Sequence, residues 1–152
     1  MILKNCTFYN EEFEKEFGDI KIENGIITEI GIINDDGVDM SGNIILPGFV
    51  DIHIHGGNGA DCSDGTADSF EKISTYLASK GVTSFCATTM TLPHKKLKAI
   101  AEVANSFNSP KSKLVGINLE GPFIAMSKKG AQNAEYVRGG TIEEFDDLYK
   151  KS

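Results

Sequence analysis

Two histidines stand two positions apart near the end of a short apolar segment, PGFVDIHIHG, which begins at Pro47. Alternate side chains of an extended strand share a face, so His53 and His55 point to the same side and can bind one cation. Imidazole nitrogens are among the usual ligands of catalytic zinc. The spacing therefore predicts half of a metal site at the end of a strand.

A carboxylate closes a second apolar segment, KLVGINLE, which ends at Glu120 immediately before Gly121-Pro122. If the two segments are parallel strands of one sheet, their ends lie at the same edge, and Glu120 joins the two histidines. Two histidines and one glutamate form a ligand set of catalytic zinc sites that leaves a position open for water. On this ground we favour metal binding over the alternative, in which backbone hydrogen bonds satisfy both imidazoles.

The segments that must position these side chains alternate between strand and helix patterns after Pro47. Strands are predicted at FVDIHIH, VTSFCATTM and KLVGINLE, with amphipathic helices near residues 66–80 and 97–107. A capping box of Thr141 and Glu144 opens a third helix. This order is typical of βαβ units on a parallel sheet, and it predicts the α/β class for residues 47–152.

Residues 1–46 are predicted to form a small β domain, with a hairpin turn at Asn24-Gly25. The acidic connection at residues 11–17 is interpreted as a solvated loop with two buried rings, Phe13 and Phe17. The only predicted domain boundary lies near Pro47.

Composition narrows the functional class. The 152 residues are 40% hydrophobic, enough for a packed core, and the net charge of -7 argues against a nucleic acid or an anionic membrane as principal partner. The three cysteines are odd in number and widely spaced, which predicts neither disulfides nor a thiolate zinc site. No apolar run resembles a signal peptide or a spanning helix, so we expect a cytoplasmic protein.

Four segments in order resemble the N-acetylglucosamine-6-phosphate deacetylases of the amidohydrolase superfamily: PGFVDIHIHGG, GVTSFCATTMT, GINLEGPFI and KKGAQNAEYVR. The resemblance implies a metal-dependent hydrolase that removes the acetyl group of N-acetylglucosamine 6-phosphate. It also implies a (β/α)₈ barrel preceded by a small β-sandwich-like segment. A closed barrel takes about 250 residues, so this chain is expected to supply the first three β/α units, the opening third of the barrel.

The resemblance assigns roles to particular residues. His53, His55 and Glu120 match metal ligands for one or two divalent ions, with zinc or iron expected. Ala131 and Gln132 match the segment that contacts the sugar. The family's acid-base aspartate is expected beyond the end of this chain, so no catalytic acid is assigned and the 152 residues alone are predicted to be inactive.

Two departures from the family pattern concern amides. The family often has histidines where this chain has Asn118 and Gln132, and an amide can hydrogen-bond but cannot take up a proton as imidazole does. Substrate contact is therefore easier to retain at these positions than an acid-base role.

Two other functions stay open on the sequence. One is a non-catalytic fold fragment or a binding and assembly module, and the other is a different amidohydrolase such as a dihydroorotase-like enzyme, which leaves the LEGPF and KKGA segments unexplained. Because three parallel strands leave unpaired edges, we also expect a homo-oligomer. The remaining polar candidates are given structural roles, with His94 a surface or capping residue and with Asp61 and Asp64 ordering the glycine-rich loop.

Overall fold

A computed structural model describes residues 1–150, which divide into two compact units, one spanning Met1–Pro47 and the other beginning at Gly48. The strands are β1 Ile2–Tyr9, β2 Lys15–Glu23, β3 Ile26–Gly31, β4 Val38–Asp39, β5 Phe49–Ile54, β6 Gly56–Gly57, β7 Ala60–Asp61, β8 Val82–Thr89 and β9 Lys113–Leu119. The helices are α1 Ala67–Ala78, α2 His94–Ser106 and α3 Ile142–Tyr149, with short 3₁₀ turns at Cys62–Asp64, Met126–Lys128 and Ala134–Tyr136. No helix among these residues is long and apolar enough to cross a bilayer.

The first unit is a four-stranded sheet in the order β3-β2-β1-β4. The hairpin between β2 and β3 turns at Asn24 and Gly25, whose φ angles of 51° and 78° are those of the predicted type I′ turn. Cys6, Phe8 and Ile20 form its buried cluster. Within residues 1–150 this unit holds a single sheet, and the expected sandwich-like arrangement stays a prediction.

The prediction of two buried rings in the 11–17 connection is wrong. Phe13 is 87% exposed and Phe17 is 74% exposed. The side chain of Asn10 accepts hydrogen bonds from the backbone N–H groups of Glu12 and Glu14, which shapes a tight turn with Phe13 at a φ of 61°. The turn is fixed by these polar contacts and needs no buried ring.

The second unit is a three-stranded parallel sheet in the order β5-β8-β9, with α1 between the first two strands and α2 between the last two. The predicted α/β class is therefore confirmed. The Thr66 hydroxyl caps α1 by accepting from the Ser69 N–H, which satisfies one of the orphan donors at the helix start. Gly81, at a φ of 79°, follows the helix and leads into β8.

The core of this unit lies between the helices and the sheet. One stripe of α1 is buried against β8 and α2. Phe70, Ile73 and Leu77 form the stripe, and they pack with Phe85 and Ala87 of β8 and with Ile100 of α2. The spacing of the stripe is that of one helix face, as the sequence pattern predicts. This core fixes the three parallel strands relative to one another.

Helix α3 begins after Thr141, whose hydroxyl accepts from the Glu144 N–H. The other half of the predicted capping box is absent from the hydrogen bonds of the described chain, because the Glu144 carboxylate accepts from the Arg138 guanidinium and lies 3.2 Å from His94 Nδ1. His94 Nε2 lies 2.8 Å from Asp147 Oδ2. His94 is therefore neither a helix cap nor a free surface residue, but links α2 to α3.

Candidate metal centre

The two predicted halves of the metal site meet at one edge of the parallel sheet. His53 lies in β5 and His55 directly follows it, while Glu120 directly follows β9. Strand β8 lies between β5 and β9, and all three run in the same direction. Their carboxyl ends therefore point the same way, which brings side chains 65 or more positions apart in sequence into one cluster.

The cluster converges on a single carboxylate oxygen. Glu120 Oε2 lies 3.0 Å from His53 Nε2 and 2.9 Å from His55 Nε2. The three ligand atoms all lie within 4.8 Å of one another, and no other group of three or more histidine, cysteine or acidic side chains among residues 1–150 meets this condition. The structure thus brings together all three predicted ligands.

The donor set fits a small divalent cation. Two ligand atoms bound to one tetrahedral zinc at about 2.1 Å are about 3.4 Å apart, so the observed 2.9 and 3.0 Å separations need to open by only a few tenths of an ångström. Nitrogen with carboxylate oxygen suits zinc or iron. Three protein ligands leave coordination positions free, and the side chains of all three are between 36% and 52% exposed, so solvent can reach them.

The second oxygen of Glu120 has a partner of its own. Gln132 Nε2 donates to Glu120 Oε1 at 2.8 Å, and Gln132 Oε1 accepts from the Thr91 backbone N–H at 2.7 Å. The Thr91 hydroxyl also donates to the Glu120 carbonyl at 2.8 Å. The hydrogen bond from Gln132, together with those from the two histidines, holds the pKa of Glu120 below its ordinary value.

The sequence missed the contact between Gln132 and Glu120 and gave Thr91 no role. Gln132 is 3% exposed and Thr91 is 2% exposed, so both are buried beside the carboxylate. Thr91 follows β8 in the segment TLP, which carries no metal-ligand pattern. Only the pairing of β8 with β9 reveals that its hydroxyl reaches Glu120.

Other candidate residues take positions around the centre. Asp51 Oδ1 accepts from the His53 backbone N–H, and Asn118 Nδ2 donates to the Ile52 carbonyl at 3.1 Å. Ala131 is exposed next to the buried Gln132. Its predicted contact with the sugar stays a prediction, as does that of Gln132.

The glycine-rich loop after β5 is ordered by its aspartates, as expected. Asp61 accepts from the Ser63 N–H and Asp64 accepts from the Asp61 N–H, which closes a capping box. The Ser63 hydroxyl then accepts from the Met90 N–H and ties the loop to the end of β8. Both carboxylates are used in the turn and neither belongs to the metal cluster.

Parallel strands with two histidines at one strand end and a glutamate two strands away define an α/β protein with a candidate metal centre of two histidines and a carboxylate at a sheet edge. Residues 44–151 match the model of the Amidohydrolase family. The chain belongs to this family, whose members are in general metal-dependent.

Individual relatives agree with the resemblance seen in the sequence. The chain is 37% identical over 132 residues to the N-acetylglucosamine-6-phosphate deacetylase of Vibrio furnissii, an alignment that covers 82% of this chain and 33% of the relative. It is 31% identical over 151 residues to the N-acetylgalactosamine-6-phosphate deacetylase of Escherichia coli O157:H7, covering 97% of this chain and 40% of that protein.

A solved structure gives the same result for the fold. The N-acetylglucosamine-6-phosphate deacetylase of Thermotoga maritima superposes with a TM-score of 0.83 at 32% identity, covering 97% of this chain and 39% of that structure. The chain thus spans between a third and two fifths of the length of these three relatives.

Proposed function

We propose that this chain carries the metal-binding strand ends of an amidohydrolase that removes the acetyl group of N-acetylglucosamine 6-phosphate. The observation that carries the proposal is the convergence of His53 Nε2 and His55 Nε2 on Glu120 Oε2 at the carboxyl ends of parallel strands. The three strands and their helices would be the opening third of a (β/α)₈ barrel, in which active sites form at that end of the strands.

A divalent cation, zinc or iron, supplies two effects when it is bound: it lowers the pKa of a bound water to about 7, and it polarises the amide carbonyl of the substrate. His53 and His55 contribute neutral nitrogens, and Glu120 contributes one negative charge that partly neutralises the ion. The exposed side of the cluster leaves the acetamide group a path to the metal centre.

Amide hydrolysis also needs a proton donor for the departing sugar amine. Glu120 is unsuited to this role because its two oxygens are engaged by the histidines and by Gln132, and its lowered pKa keeps it ionised. Asp51 accepts a backbone hydrogen bond within β5. The family resemblance implies an aspartate outside these 152 residues as this acid, and we propose that the chain alone binds the metal without turnover.

The substrate class follows from the relatives, which are named for the 6-phosphates of two N-acetylated hexosamines. These sugars share the acetamido group and the phosphate and differ in the configuration at C4. We infer N-acetylglucosamine 6-phosphate because the LEGPF and KKGA segments match its deacetylases. The loop at Ala131, beside the metal centre, is the proposed sugar contact.

Two further proposals concern the compartment and the oligomeric state. Cys6, Cys62 and Cys86 are free thiols, which suits a reducing cytoplasm. Val50 and Ile52 of β5 are exposed apolar side chains on a short parallel sheet, which favours a homo-oligomer. A single monomeric species in sedimentation at micromolar concentration would count against the second proposal.

The test is release of acetate from N-acetylglucosamine 6-phosphate and, in parallel, from N-acetylgalactosamine 6-phosphate. Two samples are assayed with added zinc. One is the polypeptide that the source cells make from this gene, and the other is the isolated 152-residue chain. We expect turnover of the first sugar by the cellular product, its loss in the Glu120→Gln variant, and its retention in the control Glu143→Gln on α3. Absence of acetate release from both sugars by a zinc-loaded cellular product would overturn the proposal.

A further inference from the structure

We propose that Gln132 is the positioning residue that orients the Glu120 carboxylate for metal binding, and that Thr91 fixes the orientation of Gln132. This inference rests on the proposed metal site and deepens it. It gives Gln132 a role different from the sugar contact that the family resemblance implies. Three observations support it: the polarity of the hydrogen bonds, the burial of Gln132 and Thr91, and the different partners of the two Glu120 oxygens.

Hydrogen-bond polarity determines which way the Gln132 amide faces. The Thr91 backbone N–H is only a donor, so the group 2.7 Å from it must be the amide oxygen of Gln132. The amide nitrogen then faces Glu120 Oε1, which is only an acceptor when the carboxyl is ionised. A flipped amide would oppose donor to donor and oxygen to oxygen, so the surroundings allow one orientation.

Burial makes this arrangement effective. Gln132 and Thr91 are almost fully buried, so bulk water does not compete for either hydrogen bond. A hydrogen bond to an ionised acceptor is roughly twice as strong as one between neutral groups. The terminal torsion of a glutamate side chain is otherwise broad and nearly two-fold. Fixing Oε1 therefore fixes the direction of Oε2, the oxygen that meets both histidines.

Thr91 holds Glu120 at a second point. Its hydroxyl donates to the Glu120 carbonyl, while its N–H acts on the carboxylate through Gln132. One buried residue after β8 thus restrains both the backbone and the side chain of the ligand. This pair of contacts joins the end of β8 to the end of β9 at the metal centre.

The same contacts leave Gln132 little capacity for a sugar. Its amide oxygen accepts from Thr91, one amide proton goes to Glu120, and its nitrogen also lies 3.8 Å from the Met90 sulfur. A ligand oxygen that accepts from the Gln132 amide nitrogen would have to displace Glu120 or the Met90 sulfur. Positioning of Glu120 is the role that the observed hydrogen bonds support.

The first experiment measures zinc affinity by calorimetric titration of the 152-residue chain. In Gln132→Met the side chain keeps its length but loses both hydrogen-bonding groups, and we expect the affinity to fall about 10- to 100-fold, the usual cost of removing the partner of a metal ligand. The control Asn105→Leu removes an exposed amide on α2, outside the histidine and glutamate cluster, and its affinity should stay unchanged. The absorption spectrum of the Co²⁺ form should change in the first variant and stay unchanged in the second.

The second experiment uses the unaltered chain, in case Gln132→Met fails to fold. Gln132 is the only glutamine in the sequence, so selective ¹⁵N labelling of glutamine amides gives one side-chain NH₂ signal. We expect one proton of this pair to exchange slowly with solvent and the signal to shift when zinc is added.

The outcomes separate the two proposals. An unaltered chain that binds no zinc would remove the proposed metal site itself. Zinc binding with equal affinity and an equal Co²⁺ spectrum in Gln132→Met, or a fast-exchanging glutamine signal that ignores zinc, would overturn the positioning role and leave the metal site standing.

Discussion

Replacement of Gly121 by alanine tests how tightly the ligand Glu120 is held. Gly121 follows Glu120 at a φ of 92°, and a Cβ atom there would lie 2.0 Å from the Thr91 hydroxyl oxygen. Gly130 offers a matched control, because its φ is 58° and a Cβ atom there would meet nothing within 4 Å. Both substitutions impose left-handed backbone strain, and only the first adds a steric clash.

The expected losses in the free energy of unfolding follow from the backbone strain and the steric clash. Left-handed backbone costs about 1–2 kcal/mol for a residue with a Cβ atom, which is the whole effect expected for Gly130→Ala. Gly121→Ala adds overpacking of about 1–3 kcal/mol and loss of the hydrogen bond from Thr91 to the Glu120 carbonyl, about 1 kcal/mol. We therefore expect the free energy of unfolding to fall by about 2–4 kcal/mol more in Gly121→Ala than in Gly130→Ala.

Urea unfolding followed by circular dichroism at 222 nm measures this difference, because α1, α2 and α3 all lie in the second unit. Zinc titration of the same variants should show weaker binding for Gly121→Ala and unchanged binding for Gly130→Ala, since only the first displaces Thr91. Equal losses of stability and equal zinc affinities in the two variants would refute the reasoning that Thr91 packs rigidly against the backbone beside Glu120.

Three further predictions concern the core and the charged groups. Phe70→Ala removes a fully buried ring of the second unit and should lower its free energy of unfolding by about 3–5 kcal/mol, measured by the same urea assay. Asp19 accepts hydrogen bonds from Lys4 and from two backbone N–H groups, which lowers its pKa to about 2. Its stabilising effect is therefore complete above about pH 4 and disappears as the pH falls to 2. Asp19→Asn should lower the thermal midpoint at pH 7 and have little effect at pH 2. The hydrogen bond from Arg138 likewise lowers the pKa of Glu144, so this carboxylate stabilises α3 at neutral pH and loses its effect as acid protonates it. In Glu144→Gln the unfolding midpoint, followed by circular dichroism at 222 nm, should therefore depend less on pH in the acidic range. An unchanged slope would contradict this.

The elements that carry the site were predictable because each leaves a local pattern in the sequence. The two-residue spacing of His53 and His55 marks a strand, and the apolar run before Glu120 marks another of the same kind. The strand and helix alternation between them predicts that these strands are parallel. Three local patterns are thus enough to predict that His53, His55 and Glu120 lie at one sheet edge.

The contacts that support the ligands have no comparable local pattern. Gln132 and Glu120 are 12 positions apart in the sequence, and Gln132 and Thr91 are 41 positions apart. Such contacts depend on how the loop after β9 folds back over the sheet edge. The capping motif at Thr141 shows the same limit, because tertiary contacts with Arg138 and His94 draw the Glu144 carboxylate away from its local role.

Aromatic residues in short connections were also difficult to place from the sequence. Phe13 and Phe17 are apolar, and burial is the usual outcome for such rings. The polar turn built by Asn10 determines the path of the chain there, and the rings lie outside the cluster of Cys6, Phe8 and Ile20. Hydrophobicity alone did not show that both rings are exposed.

The most direct test of the metal centre is to crystallise the chain with zinc and locate the ion by anomalous scattering. The account predicts one strong peak about 2.0–2.2 Å from His53 Nε2, His55 Nε2 and one oxygen of Glu120. Density for the three side chains with no ion bound to them, or a zinc ion bound elsewhere on the chain in their place, would contradict it.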